Sequence, residues 1–330
     1  MNLSLNKKYN FDIDASVNSY AGELALPYVT AALLGAETIA KGRCRFIEGI
    51  VGNTVISGLA TTDTLQAAAC GWNDGSNVAL TEQILDPSDL AVMEEICRGT
   101  MYPTWIAANG RMERNGDLPV AWTDFLLGAV AERTGTSLEA SIWSGLSDGA
   151  VAPATLMVGF LGTLGTVTEA SIDASACSDF VEATTTGAAW DNTNILANLS
   201  TIFDSASAIP GILSKPGVGF YVSYEAYAFF LQAIAAQSTG AGFNQSLEGA
   251  NYLGYPVYPT AGIPNDVDVA VFTYPDNLVV GANSYTADIS AQLIPTYQYD
   301  GSDNVRISMR FALGVQTGVA ADGVVGFLFT

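Results

Sequence analysis

The sequence predicts an α+β protein in which one long helix is set against antiparallel sheet. Three observations carry that prediction. The stretch 118–146, LPVAWTDFLLGAVAERTGTSLEASIWSGL, is the longest helical candidate in the chain. In NVRISMRFALGV, Val305, Ile307, Met309, Phe311, Leu313 and Val315 alternate with Arg306, Ser308, Arg310 and Ala312, the period of a strand with one buried face. Most of the remainder reads as short strands and short helices punctuated by Gly and Pro.

The helical stretch opens well. Pro119 suits a first helical position, where its missing N–H would be unpaired anyway. Val120, Phe125, Leu126, Ala129 and Val130 then fall near one face, and Leu138, Ile142, Trp143 and Leu146 resume it. Thr134 and Gly135 predict an interruption, with Thr136 and Glu139 forming a T-x-x-E pattern that re-caps the next turn. Some 28 residues of helix would span roughly 40 Å.

Composition narrows the function classes. The 330 residues are 49% hydrophobic, enough for two or three compact units with real cores. The net charge is −21, from 33 acidic and 12 basic residues. Residues 1–150 hold 9 basic and 18 acidic, and residues 151–330 hold 3 and 15, so no basic region stands ready to wrap nucleic acid. The imbalance suits solubility at high local protein concentration. Histidine is absent, which removes the commonest general base and metal ligand together. Cys44, Cys70, Cys97 and Cys177 are scattered without C-x-x-C, which predicts reduced, mostly buried thiols in a cytosolic setting. The start, MNLSLNKKYNFD, has no apolar run behind its lysines and does not predict a signal peptide. Residues 149–168 are uncharged, but Pro153, Gly159, Gly162 and Gly165 punctuate them, predicting buried sheet and turn rather than a membrane span.

Along the chain, residues 1–19 read as an extended arm that needs a partner surface. Residues 27–41 predict a short helix, with Pro27 at its start and Gly42 beyond its end. From 43 to 85, short apolar runs (Phe46, Ile50, Val55, Ile56, Leu59) and an Asn73-Asp74-Gly75 turn predict a strand ribbon with too little core to stand alone. Residues 86–98 predict a helix, with Asp86 as cap, Pro87 first, and Leu90, Met93, Ile96 and Cys97 on one side. The section 151–282 reads as one α/β unit. It has a helix over 189–207, a strand Val218–Val222, and a helix capped by Ser223 that carries Tyr227, Phe230, Leu231 and Ile234. Two strand stretches, NYLGYPVYPTAGIP and VDVAVFTYPDNLVVGAN, come next. In the tail, residues 293–299 pair with the 305–315 strand through an Asp300–Asp303 turn, and GVVGFLFT adds a last strand.

Catalytic patterns are missing. G-x-S-x-G, S-x-x-K, the phosphate loop and G-x-G-x-x-G do not occur. Asp266 with Asp268, and Asp300 with Asp303, sit in turn contexts where Asp bonds its own backbone. No catalytic, cofactor or metal site is expected. The candidate residues are instead subunit contacts. Lys41, Arg43 and Arg45 alternate and would share one strand face, either guarding an edge or docking on an acidic neighbour. Glu94 and Glu95 are candidate partners for them. Arg306 and Arg310 lie on an otherwise neutral strand face, a second candidate contact.

Four places resemble one family. SIWSGLSDGA at 141–150 is similar to the small-residue exit of the spine helix in tailed-bacteriophage major capsid proteins of the Hong Kong 97 type. VSYEAYAFFLQAI at 222–234 resembles the helix after a strand in their axial domain. YLGYPVYPTAGIP at 252–264 resembles their hydrophobic-Gly-hydrophobic-Pro-Val strand with a turn ending in Pro. LVVGANSYTADI and NVRISMRFALGVQTGVAADGVVGF resemble the closing segment, in which strands pair beside the spine helix. The likeness runs in order over nearly the whole chain.

The resemblance implies an N-terminal arm and short helix over 1–44 and an extended β loop over 45–80. It also implies a peripheral domain from 81–148 and 285–330, and an axial domain over 149–284. It implies a non-enzymatic subunit that self-assembles through hexamers and pentamers into an icosahedral shell. That shell would enclose double-stranded DNA without sequence-specific contact, be built in the host bacterial cytoplasm and end in the virion, with no membrane role. Portal, scaffolding and accessory or decoration proteins are the further partners it implies. About 20 residues precede the first helix, so a separate scaffolding protein is expected. No lysine lies in 46–80, so the lysine–asparagine cross-link of some members is not expected. An encapsulin-type compartment shares the fold and is the alternative; a cargo enzyme or packaging genes nearby would discriminate. A surface binding module would want a signal peptide, and a carboxylate-pair glycosidase would need two acids converging in a pocket.

Overall fold

A computed structural model describes residues 19–21, 33, 35–61, 78–97, 120–144, 157–164, 180–185, 189–237, 251–265, 267–283, 290–296, 302, 304–319 and 321–327. In chain order the elements are β1 (Ser19–Ala21), α1 (Glu37–Ala40), β2 (Arg45–Glu48), β3 (Thr54–Thr61), β4 (Val78–Leu85), β5 (Ser88–Cys97), α2 (Val120–Ser144) and α3 (Phe160–Thr163). Then follow β6 (Val181–Thr184), α4 (Ile195–Ser207), β7 (Gly219–Val222), α5 (Tyr224–Gln237), β8 (Asn251–Tyr252), β9 (Tyr255–Pro259) and β10 (Val269–Thr273). The last are β11 (Leu278–Ala282), β12 (Ser290–Pro295), β13 (Asn304–Thr317) and β14 (Val324–Phe327).

The first sheet is built on β13. Its alternation holds: Val305, Ile307, Met309, Phe311 and Leu313 are buried while Arg306 and Arg310 face out. β5 pairs antiparallel along one edge of β13, from Asn304↔Cys97 to Leu313↔Ser88. The other edge takes β12 and then β11, both antiparallel. β2 joins β11 in parallel, and β1 lines the free side of β12. The inner side chains of β13 share one core with Leu127, Ala131, Leu138 and Ile142 of α2, so the long helix lies across this sheet.

The second sheet runs β6-β14-β10-β7-β9-β8. β7, β10 and β14 are buried on both faces. Phe220, Val222, Ala270 and Phe272 face a core shared with α4 and α5, while Tyr221, Val269 and Val271 face the α2 core. Period two thus divides one sheet between two cores.

Several expectations hold. β12 and β13 pair antiparallel as expected, with the Thr296 and Ser302 hydroxyls 2.6 Å apart near the ends of the pair. α4 buries Ile195, Leu199 and Ile202, and its start is held by Asp191, whose Oδ1 accepts from the Thr193 and Asn194 backbone N–H groups. Ser223 caps α5 by accepting from the Ala226 N–H at 3.1 Å. Gly42, at φ +61°, ends α1.

Others are corrected. Residues 88–97 are strand, not helix. Leu90, Val92 and Ile96 turn inward at period two, and the ladder with β13 overrides the cap signal at Asp86-Pro87. The long helix runs through Thr134-Gly135 without a break. Thr134 stays helical by donating to the Val130 carbonyl at 2.8 Å, and Glu139 re-caps nothing because its carboxylate turns to Thr38. Leu127 and Ala131 form the N-terminal part of the buried stripe, with Ala129 exposed. Within 149–168, where buried sheet and turn are expected, Phe160–Thr163 is one buried helical turn. The last strand, β14, forms as expected, joins the second sheet between β6 and β10, and puts Val325 and Phe327 in the core it shares with the long helix. Cys44 is buried as expected and Cys97 is exposed. The 1–18 arm, the start of the 27–41 helix, the Asn73–Gly75 turn, Asp300, Asp303, Cys70 and Cys177 lie outside the described residues.

Candidate subunit-contact surfaces and the polar clasp

The ribbon of the 45–85 region resolves into two parts. β2 is a strand of the first sheet, and β3 with β4 makes an antiparallel hairpin, Thr54↔Leu85 to Thr61↔Val78. Its base is anchored. Ile50, Ile56 and Leu85 form a small core with Val279, and a Cβ on Gly281 would meet Ile50 Cδ1 at 2.1 Å and Leu85 Cδ2 at 2.4 Å. Gln316 donates to the Gln83 side-chain oxygen at 3.0 Å. The other face is bare. Val55 and Ile84 are cross-strand partners, 56% and 58% exposed, and Val51, in the link from β2 to β3, is 75% exposed. On a two-stranded ribbon these apolar side chains form an exposed patch of the kind that contact surfaces are made of.

The candidate charged residues separate. Lys41, Arg43 and Arg45 do not share a strand face: Lys41 closes α1, Arg43 lies in the turn after it, and only Arg45 is on β2. Lys41 pairs with Glu37 one turn earlier, at the surface. Arg43 points inward, donating to the Pro259 carbonyl, 3.6 Å from Glu37, with its guanidinium 5.0 Å from the Tyr258 ring centre. Glu95 pairs with Arg306 at 3.0 Å across β5 and β13, and also accepts from the Asn304 amide. Both charged groups of that pair are largely exposed, so it guides register more than it adds stability. Glu94 and Arg310 are exposed. Met93, 66% exposed, stands opposite Ser308 between the two arginines.

Sequence reading missed a buried polar cluster. Residues 36–44 form a clasp over three elements. On α2, Glu139 is 2% exposed; Oε2 accepts from the Thr38 N–H at 2.9 Å and Oε1 from the Thr38 hydroxyl at 2.6 Å. Trp143 Nε1 donates to the same Thr38 oxygen at 2.7 Å. On the second sheet, the Tyr221 hydroxyl donates to the Arg43 carbonyl at 3.1 Å. On α5, the Tyr224 hydroxyl lies 3.0 Å from both Glu37 carboxylate oxygens. Burial pushes Glu139 above the usual carboxylate range, opposed by the two Thr38 hydrogen bonds. Burial, and then the Glu139 charge, push the Cys44 thiol up to about 12. The only signals in the sequence were a Thr in a one-turn helix and a Glu in the apolar stripe of the long helix. Neither names its partner.

The cluster ties together two of the family-like stretches. A Cβ on Gly262 would meet the Glu139 carbonyl oxygen at 2.3 Å and Trp143 Cδ1 at 2.5 Å, so the YPTAGIP turn seats directly on the end of the long helix. Trp143 also meets Phe160 edge-on at 5.3 Å and Tyr221 at 5.5 Å between ring centres. Among the described residues no group of His, Cys, Asp or Glu is placed to hold a metal ion, and no helix is long and apolar enough to cross a membrane.

No protein-family model and no curated protein matches the chain. Solved structures do. The chain is similar to the capsid of a native GTA particle, with TM-score 0.58 and 14% identity over 91% of each chain. It is similar to a chain of the satellite phage P4 procapsid, with TM-score 0.56 and 12% identity over 92% of this chain and 90% of that one. A third match is to Microbacterium phage Oxtober96, with TM-score 0.52 and 15% identity over 89% and 91%. At such identities the shared property is the fold, and it extends along nine-tenths of the sequence. The chain has the mixed α+β fold of phage-type capsid subunits.

Proposed function

We propose that the chain is the major capsid protein of a tailed phage, assembling through hexamers and pentamers into an icosahedral shell around double-stranded DNA. One observation carries the reading: a capsid fold along nine-tenths of the chain presents an anchored ribbon with its apolar Val51, Val55 and Ile84 in water. Covering what is still exposed of each of those side chains under a second copy contributes roughly 1–2 kcal/mol. Repeated at every subunit contact, that is the scale on which large interfaces are built.

The division into a peripheral domain around β13 and α2, an axial domain around β7 and β10, an extended loop at β3–β4 and an arm at 1–18 belongs to this proposal. The acidic surface suits a container wall that neither grips nor reads DNA. Portal, separate scaffolding and decoration proteins are its further partners. Assembly takes place in the bacterial cytoplasm, and the product is the virion. The phage and GTA capsids among the similar structures favour this reading over an encapsulin compartment.

Expression of the chain with the products of its neighbouring genes tests the proposal by size-exclusion chromatography and negative-stain microscopy. Closed shells, tubes or hexameric and pentameric rings are expected. A chain that stays monomeric with a candidate scaffold present overturns it.

A further inference from the structure

In the clasp the segment just before β2 touches the long helix, the second sheet and α5 together. Its pivot is Thr38, whose hydroxyl stands between two groups of α2: it donates to Glu139 and accepts from Trp143. We propose that this clasp is a proton-sensitive joint, in which Glu139 senses pH and Thr38 passes its state to the contact between the long helix and the second sheet. The inference does not depend on the capsid reading.

The geometry supports both protonation states. With Glu139 ionised, the Thr38 N–H and hydroxyl both donate to it, as observed. With Glu139 protonated, the same oxygen pair, 2.6 Å apart, carries the proton in reverse. Thr38 Oγ1 has two lone pairs and can accept from Glu139 and Trp143 at once. On protonation the Glu139–Thr38 and Trp143–Thr38 contacts persist and a buried charge is shed, while the Thr38 hydroxyl proton gives up the carboxylate as its acceptor.

Among the described residues the surrounding groups are few. From α1 and its turn come Glu37, whose charge opposes ionisation of Glu139, Arg43, which favours it, and Lys41, which pairs with Glu37 at the surface. From the same segment comes the Cys44 thiol, neutral throughout. α5 adds the Tyr224 and Tyr227 hydroxyls and β7 that of Tyr221, whose ionisation burial opposes, and β9 adds Tyr258. α2 itself supplies Gly135, Thr136, Ile142 and Trp143 within a turn of Glu139, none ionisable.

A carboxyl that ionises less readily in the folded chain holds more protons when folded. Its contribution is fully present below its unfolded value near 4.5 and is lost as pH rises through the raised folded value. The joint is therefore strengthened by mild acid. Acidification also relieves the general repulsion of a −21 chain, so the readout must be a difference between variants.

The test is the thermal midpoint of the full chain, at fixed protein concentration, for wild type and Glu139→Gln from about pH 4.5 to about pH 8. Wild type should lose ground to Glu139→Gln as pH rises from the unfolded value near 4.5, and the difference should level off once Glu139 is ionised in the folded chain. Parallel curves overturn the proposal. If Glu139→Gln does not fold, Thr38→Val serves, because it removes a hydroxyl that favours ionisation. Its midpoint should keep falling to a higher pH than that of wild type, and superimposable profiles overturn the proposal equally.

Discussion

Gly262 lies against Trp143 with no room for a side chain, a Cβ there falling 2.5 Å from Trp143 Cδ1 and 2.3 Å from the Glu139 carbonyl oxygen. The nearer atom is helix backbone, which cannot swing aside. Gly262→Ala should therefore destabilise by about 1–3 kcal/mol, toward the upper end. Urea unfolding checks it, as a lower midpoint with an unchanged slope.

Trp143→Phe keeps most of the packing against Phe160 and Tyr221 and deletes the hydrogen bond from Nε1 to Thr38. The expected loss is about 0.5–1.5 kcal/mol for that bond. Trp143→Ala, which also empties the site, should cost about 3–5 kcal/mol. The gap between the two variants in the same denaturation experiment separates the polar contribution from the packing one.

Val55→Glu and Ile84→Glu place a charge on the exposed face of the hairpin, away from its anchored base. Subunit stability should change by no more than about 0.5 kcal/mol, as for surface positions generally. Assembly should fail, because each charge would have to be buried without a partner. Circular-dichroism melting reads the first quantity and sedimentation velocity the second. Assembly at wild-type yield in both variants would show that this face is not a contact.

Cys44 and Cys97 should differ sharply toward iodoacetamide. Cys44 is buried and its thiol is pushed up to about 12, leaving almost no thiolate at about pH 8. Cys97 is exposed at the end of β5. Peptide mass spectrometry of the native chain should find Cys97 alkylated and Cys44 protected, with both modified after unfolding.

The patterns that could be read from the sequence were those whose partners are generic. Any apolar surface satisfies the alternating residues of β13, the i and i+4 pairs of α4, or the Ser223 cap, so their periodicity is visible without knowing what covers them. The failures lie where two patterns compete. Asp86-Pro87 with Leu90, Met93 and Ile96 satisfies a helix template, yet Leu90, Val92 and Ile96 equally satisfy a strand template. Only the presence of β13 alongside decides between them. Likewise Thr134-Gly135 is a local stop signal that the packing of α2 across the first sheet overrules.

The charged candidates show the same limit from the other side. Arg306 was read correctly as outward-facing, because that follows from the parity of a strand. Its partner Glu95, the inward turn of Arg43 onto Pro259 and Tyr258, and the meeting of Glu139 with Thr38 join residues separated by as many as 216 positions. Such pairings follow from how elements stack, and no local spacing encodes that. The sequence by itself determined an acidic, histidine-free α+β chain with one long helix, a central alternating strand, and a ribbon too poor in apolar residues to bury itself. Tertiary structure alone decided that the final strand crosses to the second sheet, that residues 88–97 are strand, and that a buried carboxyl joins the long helix to the segment before β2. Local pattern records which side of an element is apolar, whereas long-range contact selects the surface that side meets.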